Sequence, residues 1–462
     1  MAVKPDFRGT PVTVVGLGIE GIDLVRYLAS QGARVTVSDS RSAEALGEAI
    51  EAIDGSDARL ALDGNRAEDL TSAECVFVSQ GVPPELPALA AARERGVPIS
   101  SMTKLFFERC PAPIAGITGS SGKTTTTALV GAMLAASDVD YVSGGNIGVG
   151  LLGLLDEIAA ETRVVVELSH TQLEGLDESP HTACVTNVTP NHLDRYPWDA
   201  YVALKRRIFE FQDGDDLAIF NLDDELCAQF SREAPARVAG TSMTGSLPGD
   251  GVMLDGDAIV RRAGAASIEV MQRNDVALRG EHNVANVLSA LAVAGQLGAS
   301  DEAAVEAVRA FRGVPHRLET VATIGGVEYV NDSIATTPER TLAGLRSFQR
   351  PVVLLLGGRD KQLPLSGLAA EAARRCRAVI TFGEASELFA TAVRDATTPP
   401  GDGPTIEQAG DVGAATAAAA ARARDGDIVL FAPAGTSFDA YSNFELRGED
   451  FRRAVLALGR GG

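Results

Sequence analysis

Short apolar runs rich in Val, Ile and Leu alternate along this chain with longer stretches whose apolar residues recur every third or fourth position. The runs read as buried strands and the recurring spacing as helices laid against a sheet. Residues 12–15 form the first run. They enter the turn Gly16-Leu17-Gly18-Ile19-Glu20-Gly21, and an amphipathic helix continues through Leu28. A second strand over 34–38 ends at Asp39. A third over 75–79 meets Gly81-Val82-Pro83-Pro84, and a short one over 97–99 follows a helix at 88–95. After a Pro-rich step at 110–113, residues 113–115 run into a glycine-rich turn and a helix through Leu134. Strands follow at 163–169, 182–188 and 217–221, with helices at 199–211 and 280–297 and a small β excursion over the Gly- and Asp-rich 235–275. Residues 311–317 read as a hinge. Beyond it lie strands at 328–331, 352–356, 378–382 and 428–431 and an Ala-rich helix at 414–421. Strand–helix alternation of this kind predicts mostly parallel sheets with helices on both faces. The expectation is an α/β chain of three domains. They are a Rossmann-like N-terminal domain over 1–110, a P-loop ATPase-like central domain over 111–312 and a Rossmann-like C-terminal domain over 313–462.

The central glycine-rich turn carries the most specific chemistry. GITGSSGKTTT at 116–126 follows a strand and opens a helix, the layout of a phosphate-cradling loop. Gly116, Gly119 and Gly122 let backbone N–H groups converge on phosphate oxygens, with Ser120, Ser121 and Thr125 alongside. Lys123 would reach the β and γ phosphates of ATP, and the Thr124 hydroxyl would sit on Mg²⁺. The strict G-x-x-x-x-G-K-[ST] spacing fails by one place, because position 117 is Ile. The turn at 16–21 with Asp39 beyond it is a nucleotide-binding fingerprint that, taken alone, fits NAD. Glu20 is awkward there, since a carboxylate at a helix start competes with a phosphate.

Composition narrows the partners. A net charge of −21 over 462 residues argues against nucleic acid or an anionic membrane. No apolar run reaches the length of a membrane span and the N-terminus has no signal core, so a cytoplasmic protein is expected; a monomer is the expected state of assembly. The five cysteines are scattered and form no C-x-x-C pair, which argues against a disulfide scaffold or zinc cluster.

Two nucleotide-type motifs and a third α/β region fit a nucleotide-tagged substrate, ATP and one further substrate. In this arrangement the chain resembles the Mur ligases of peptidoglycan synthesis. The resemblance covers nearly the whole length and rests on motifs in order: GLGIEG (16–21), VSQGVP (78–83), GITGSSGKTTT (116–126), GGNIG (144–148), ELSHTQLE (167–174), NVTPNHLDRY (187–196), GEHNVAN (280–286), PHRLE (315–319), NDSIAT (331–336), LLLGGRDK (354–361) and APAGTSFDAYSNFELRG (432–448). It is strongest to the branch that adds D-glutamate to UDP-N-acetylmuramoyl-L-alanine. It implies a substrate carboxylate that attacks the γ-phosphate of ATP, and an amino group that then attacks the acyl phosphate.

By that resemblance Gly16, Leu17, Gly18, Asp39, Ser79 and Gly81 hold the UDP-sugar. Lys123 and Thr124 hold the phosphates and one Mg²⁺, and Glu167 is a magnesium ligand. His192 sits at a second ion and Asn146 near the transferred phosphate. Lys205 matches the family lysine that becomes carbamylated and could then help hold Mg²⁺. Asn283, Arg317 and Asp332 match ATP contacts, and Thr336, Lys361, Ser437 and Phe444 match the positions that receive D-glutamate. Some residues depart from the family pattern. Glu20 stands for Ser or Thr, Gln80 for Pro, His170-Thr171 for Ser-Phe, Asn191 for Asp and Ile334 for Lys. The stretch 100–103 lacks a common glutamate. A ligase adding another amino acid such as L-glutamate, a folylpolyglutamate-type enzyme, a non-catalytic nucleotide sensor and an NAD-dependent oxidoreductase are the alternatives. The oxidoreductase leaves the phosphate loop, Glu167, His192 and Lys205 unexplained.

Overall fold

The computed structural model describes residues 6–145, 150–190, 196–278, 280–397 and 403–459. The apolar runs pair into three sheets. The first contains β1 (Pro11–Val15), β2 (Arg34–Ser38), β3 (Arg59–Ala61), β4 (Cys75–Val78) and β5 (Ile99–Ser100), in the order 3-2-1-4-5 and parallel throughout. The last strand begins two residues later than its apolar run, because Pro98 has no N–H to donate and offers only its carbonyl, to Val76 N at 2.9 Å. The short β3 and the helix Met102–Arg109, capped by Ser101 Oγ accepting from Lys104 N, have no counterpart in the apolar pattern.

The second sheet has nine strands. In chain order they are β6 (Ile114–Thr118), β7 (Tyr141–Gly145), β8 (Arg163–Glu167), β9 (Thr182–Val185), β10 (Leu217–Asn221), β11 (Arg237–Ser242), β12 (Gly251–Asp255), β13 (Ala258–Ala263) and β14 (Ala266–Gln272). Their order in the sheet is 14-13-12-11-10-9-6-8-7. The region expected as a separate excursion at 235–275 instead extends this sheet: β11 and β12 pair parallel, and β13 and β14 fold back antiparallel at the edge. The third sheet contains β15 (Glu319–Ile324), β16 (Val327–Asn331), β17 (Val352–Gly357), β18 (Cys376–Phe382), β19 (Thr405–Gln408) and β20 (Ile428–Ala434). Its order is 15-16-20-17-18-19, with only β15 antiparallel.

The chain divides into two compact units, Met1–Phe311 and Arg312–Gly462. The first holds two sheets because one apolar cluster is continuous between them, from Phe7, Leu24 and Phe77 to Val166, Tyr201 and Phe209. Leu129, Met133 and Leu291 cover the other face of the nine-stranded sheet. In the second unit Leu354 and Leu430 point to one face, and Leu355 and Phe431 to the other. Strands buried on both faces explain why their sequences read as continuous apolar runs. No described helix is long and apolar enough to cross a membrane.

Candidate active site

Each sheet has a point where the connections from neighbouring parallel strands run off in opposite directions, and in open α/β sheets ligands bind at the carboxyl ends there. In the first sheet that point lies between β1 and β4. The glycine-rich turn is closed on itself: Ser79 Oγ donates to Gly16 O at 2.6 Å, and Leu17 N donates to Asp39 Oδ2 at 2.8 Å. A side chain at Gly21 would fall 2.1 Å from Gly16 O, so close strand–helix approach requires glycine. Asp39 is 4% exposed and turned inward; its carboxylate also accepts from Arg41 N at 2.9 Å and pairs with the Arg41 guanidinium at 2.7 Å. These bonds outweigh burial and hold the Asp39 carboxyl below its usual range. The carboxylate expected to meet a ribose therefore anchors the turn, and the half-exposed Arg41, which also reaches Leu17 O, is the polar group it sets beside the turn. Gly18 is exposed, and Gly81 (φ +90°) makes the bend after β4.

In the second sheet the switch point is the end of β6, flanked by β9 and β8. Gly116 lies inside β6 rather than in the phosphate loop: a Cβ there would meet Pro180 and Leu168 at 2.7 and 3.0 Å, so its role is packing. The loop proper is 119–122. Gly119 has φ +154° and Gly122 φ +81°, conformations that L side chains rarely adopt. Side chains would also strike Thr186 Oγ1 (2.0 Å) and Asn286 Oδ1 (2.3 Å). The two serines tie the loop to the end of β9. Ser120 Oγ donates to Thr189 O at 2.9 Å and lies 3.0 Å from the Tyr201 hydroxyl, and Ser121 N donates to Asn187 Oδ1 at 2.9 Å. Lys123 and Thr124 open the helix Lys123–Ala136, followed by Thr125, and Lys123 Nζ donates to Gly119 O at 2.8 Å. Asn283 is fixed by Asn286 Nδ2 at 3.2 Å, on the helix Glu281–Gln296 that approaches Gly122.

Beside this loop sit two buried charged residues. Glu167 ends β8 with 1% of its surface exposed. Lys205, also 1% exposed, comes from the helix Trp198–Glu210, and its Nζ donates to Thr118 Oγ1 at 2.9 Å and Gly119 O at 3.1 Å. Burial, with Lys123 nearby, pushes the Lys205 pKa well below the ordinary lysine value, and Glu167 opposes that only in part. A long cationic side chain is seldom buried so fully without a reason of chemistry. Asn146 and His192 lie outside the described residues.

The third sheet turns at β20. Asp332 follows β16, is 5% exposed, and accepts from Leu318 N at 3.1 Å. Burial pushes its pKa up to about 6, against the opposing pull of Leu318 N, Arg317 and Arg340. Lys361 Nζ donates to Thr336 Oγ1 at 3.3 Å, so two residues expected to receive the amino acid do converge. Burial and the cations Arg340 and Arg447 lower the Lys361 pKa. Ser437 is 2% exposed after β20, and Phe444 opens the helix Phe444–Leu458. Arg447, which lies within the motif at 432–448 but was not among the expected site residues, joins these segments. Fully buried, it donates to Ser333 Oγ (3.1 Å), Ser333 O (2.8 Å) and Gly435 O (3.0 Å), and Ser333 Oγ donates to Phe444 O at 2.8 Å. Tyr201, Asn187 and Asn286 also meet the phosphate loop; Asn187 and Asn286 lie inside the motifs at 187–196 and 280–286 without having been singled out, and Tyr201, on an apolar helix face, carries no such sign.

No group of three or more His, Cys, Asp or Glu side chains converges as a metal cage among the described residues. The donor set still suits Mg²⁺, which is held by one or two protein oxygens and the phosphates of its nucleotide rather than by an all-protein cage. Glu167 and the Thr124 hydroxyl are hard oxygen donors of that kind, and Lys205 in its ammonium form is not.

Three switch points, one with a phosphate loop and two buried charges beside it, define a protein that activates a substrate with a nucleoside triphosphate. Comparison with known proteins agrees. Residues 10–101 match the N-terminal domain of Mur ligases of the MurD-like kind, residues 117–294 the Mur ligase middle domain and residues 316–435 the Mur ligase glutamate ligase domain. The UDP-N-acetylmuramoylalanine--D-glutamate ligase of Symbiobacterium thermophilum is 39% identical, over 96% of this chain and 97% of that one. Its namesake from Anaeromyxobacter dehalogenans is 40% identical over 99% of both. Among solved structures, UDP-N-acetylmuramate-alanine ligase of Thermotoga maritima superposes with a TM-score of 0.53 at 18% identity, covering 97% and 99% of the two chains, a likeness of fold. The chain belongs to the Mur ligase family.

Proposed function

We propose that this protein is the ligase that joins D-glutamate to UDP-N-acetylmuramoyl-L-alanine, using ATP and Mg²⁺, in the making of peptidoglycan precursors. The observation that carries the reading is the second switch point, where a phosphate loop, the buried Glu167 and the buried Lys205 converge. The near full-length relatives of that name support the choice of substrates.

The loop 119–122 and Lys123 bind and orient the triphosphate. The acceptor's carboxylate oxygen attacks the γ-phosphorus, and the bond to the ADP oxygen breaks. The amine of D-glutamate then attacks the acyl carbon, phosphate leaves, and the nitrogen gives up a proton to become the amide. The protein's contribution is placement. Thr124, Glu167 and His192, with Lys205 once carbamylated, would hold two magnesium ions, which would supply neutralisation of the clustered phosphate and carboxylate charge. Depressed basicity makes Lys205 a site for carbamylation, in which the neutral amine adds to CO₂ and releases a proton, leaving an oxygen-donor anion. Asn146 is assigned to the transferred phosphate by the resemblance alone. Asn283, Arg317 and Asp332 serve ATP. Gly16, Leu17, Gly18, Asp39, Ser79 and Gly81 serve the UDP-sugar, Asp39 anchoring the turn as well. Thr336, Lys361, Ser437 and Phe444 serve the amino acid; a lysine and hydroxyls suit a dicarboxylate. The working protein is a monomer with three domains, 1–110, 111–312 and 313–462.

ADP release with UDP-N-acetylmuramoyl-L-alanine against a panel of amino acids tests this. D-Glutamate should be the preferred amine. Preference for L-glutamate would move the protein to another branch, and NAD binding without ADP formation would overturn the reading.

A further inference from the structure

Three of the departures from the family pattern touch one another. Glu20 stands at the start of the helix Ile19–Ser30, Gln80 after β4, and Thr171 in the helix His170–Glu174 beyond Glu167. Gln80 N donates to Glu20 Oε2 at 2.9 Å and Gln80 Nε2 to Glu20 Oε1 at 2.6 Å. Thr171 Oγ1 donates to Gln80 Oε1 at 2.8 Å, and Ser169 Oγ reaches the same oxygen at 3.3 Å. Gln172 Nε2 adds a 3.3 Å bond to Glu20 Oε1. All except Ser169 line one cleft, together with Ser79 and Gly81.

The chemistry of the exchange is compensatory. A Ser or Thr at position 20 brings a neutral hydroxyl to the glycine-rich turn, whereas Glu20 brings a negative charge to the place expected to take a diphosphate. Proline at 80 could donate from neither backbone nor side chain, whereas Gln80 donates from both. A phenylalanine at 171 could not fix Gln80, whereas the threonine hydroxyl does. Each change is unfavourable or idle alone and useful with the others.

We propose that Gln80 is a positioning residue for the nucleotide-sugar: it holds the Glu20 carboxylate toward Gln172 and the His170–Glu174 helix, so that the turn can accept a diphosphate despite carrying an acid. Thr171 holds Gln80 in turn. The bridge also joins the nucleotide-sugar turn to the capping box of the helix that follows Glu167, where Ser169 N donates to Gln172 Oε1 at 3.0 Å. This rests on the acceptor assigned above.

The test is a double-mutant cycle read through the acceptor KM, with the ATP KM as the control for folding. A freed carboxylate about 4 Å from a diphosphate weakens binding by roughly tenfold even where water screens the pair almost fully, and by more at the lower effective dielectric of a protein surface. Gln80→Ala and Gln80→Pro should each raise the acceptor KM by about that factor, leaving kcat and the ATP KM little changed, and added salt should shrink the difference. Adding Glu20→Thr to Gln80→Ala should restore the acceptor KM with the ATP KM unmoved throughout, whereas a merely structural pair would show its non-additivity in the melting temperature and in both KM values. An unchanged acceptor KM in Gln80→Ala, or a double variant as weak as the single one, would overturn the proposal. A wild-type protein that releases no ADP with this acceptor would remove the functional reading, and the proposal with it.

Discussion

Replacing Asp332 by Asn separates what stability wants at that position from what function wants. The carboxylate is 5% exposed, and burial raises its pKa from the ordinary 3.8 to about 6. Above pH 6 the folded protein carries an ionised Asp332 that the unfolded chain would hold more comfortably in water. The difference corresponds to about 3 kcal/mol. The sign follows from proton counts. Between pH 3.8 and 6 the folded state binds more protons than the unfolded one at this site, so stability falls as pH rises through that window. Asparagine keeps the acceptor for Leu318 N and removes the charge. Asp332→Asn should therefore be more stable than the wild type at pH 7 by up to about 3 kcal/mol, and the advantage should vanish below pH 4. For a unit of this size that is a rise in melting temperature of roughly 6–12 °C at neutral pH. Comparing the two proteins cancels the other titrating groups, including Glu20 and Asp23, which burial also raises. The same variant should lose kcat/KM for ATP in the ADP-release assay. Equal melting temperatures at pH 7, or a gap that persists at pH 4, would refute the reasoning; a stabilised variant with full activity would remove Asp332 from the ATP site.

Gly119→Ala, whose Cβ would fall 2.0 Å from Thr186 Oγ1, should displace the phosphate loop by about 1 Å and lower kcat/KM for ATP on the order of 10²-fold; activity within a few-fold of wild type would show that the loop tolerates it. Lys205→Ala should nearly abolish turnover and regain part of it with small carboxylates, and wild-type activity in that variant would sink the metal-holding role. Lys205→Met should be the more stable protein at neutral pH: the unfolded lysine binds a proton that the folded one resists, so wild-type stability should climb toward the variant's as pH rises to 10.5, as urea titrations at several pH values would reveal. Arg447→Met strands the Ser333 and Gly435 carbonyls and should cost about 3 kcal/mol in thermal unfolding while raising the KM for the amino acid more than that for ATP.

The parallel core was legible because strands covered on both faces must be apolar throughout, and β2 and β10 fall where their runs predict. Edge elements were not. β3 (RLA) and β19 (TIEQ) are short and half exposed, held by pairing with β2 and β18 rather than by their own side chains. β15 alternates too weakly to stand out and exists as the antiparallel partner of β16. The hairpin of β13 and β14 was visible as β structure, but which sheet it would join was not, since that choice depends on β11 and β12 pairing first.

The site divides along the same physical line. Residues whose chemistry acts through the backbone or a strand end were readable: the phosphate loop needs its glycines, and a carboxylate closing a buried strand stands out. Residues that act through other residues were not. Asp39 fits a ribose-binding fingerprint by type and spacing, yet its oxygens hold Leu17 N and Arg41, because a turn that exposes its amide groups to a ligand must itself be held from behind. Glu20 runs the opposite way. By type it looks hostile to an anion, and only the donors of Gln80 and Gln172 make its position tolerable. Two acids near one turn thus take up roles that their identity does not announce. The donors that settle the matter lie 60 and 152 residues away in sequence from Glu20 but within 3.3 Å in space. A motif departure at one position is therefore uninformative until its contacts are known, and three departures linked through Gln80 count as a single change.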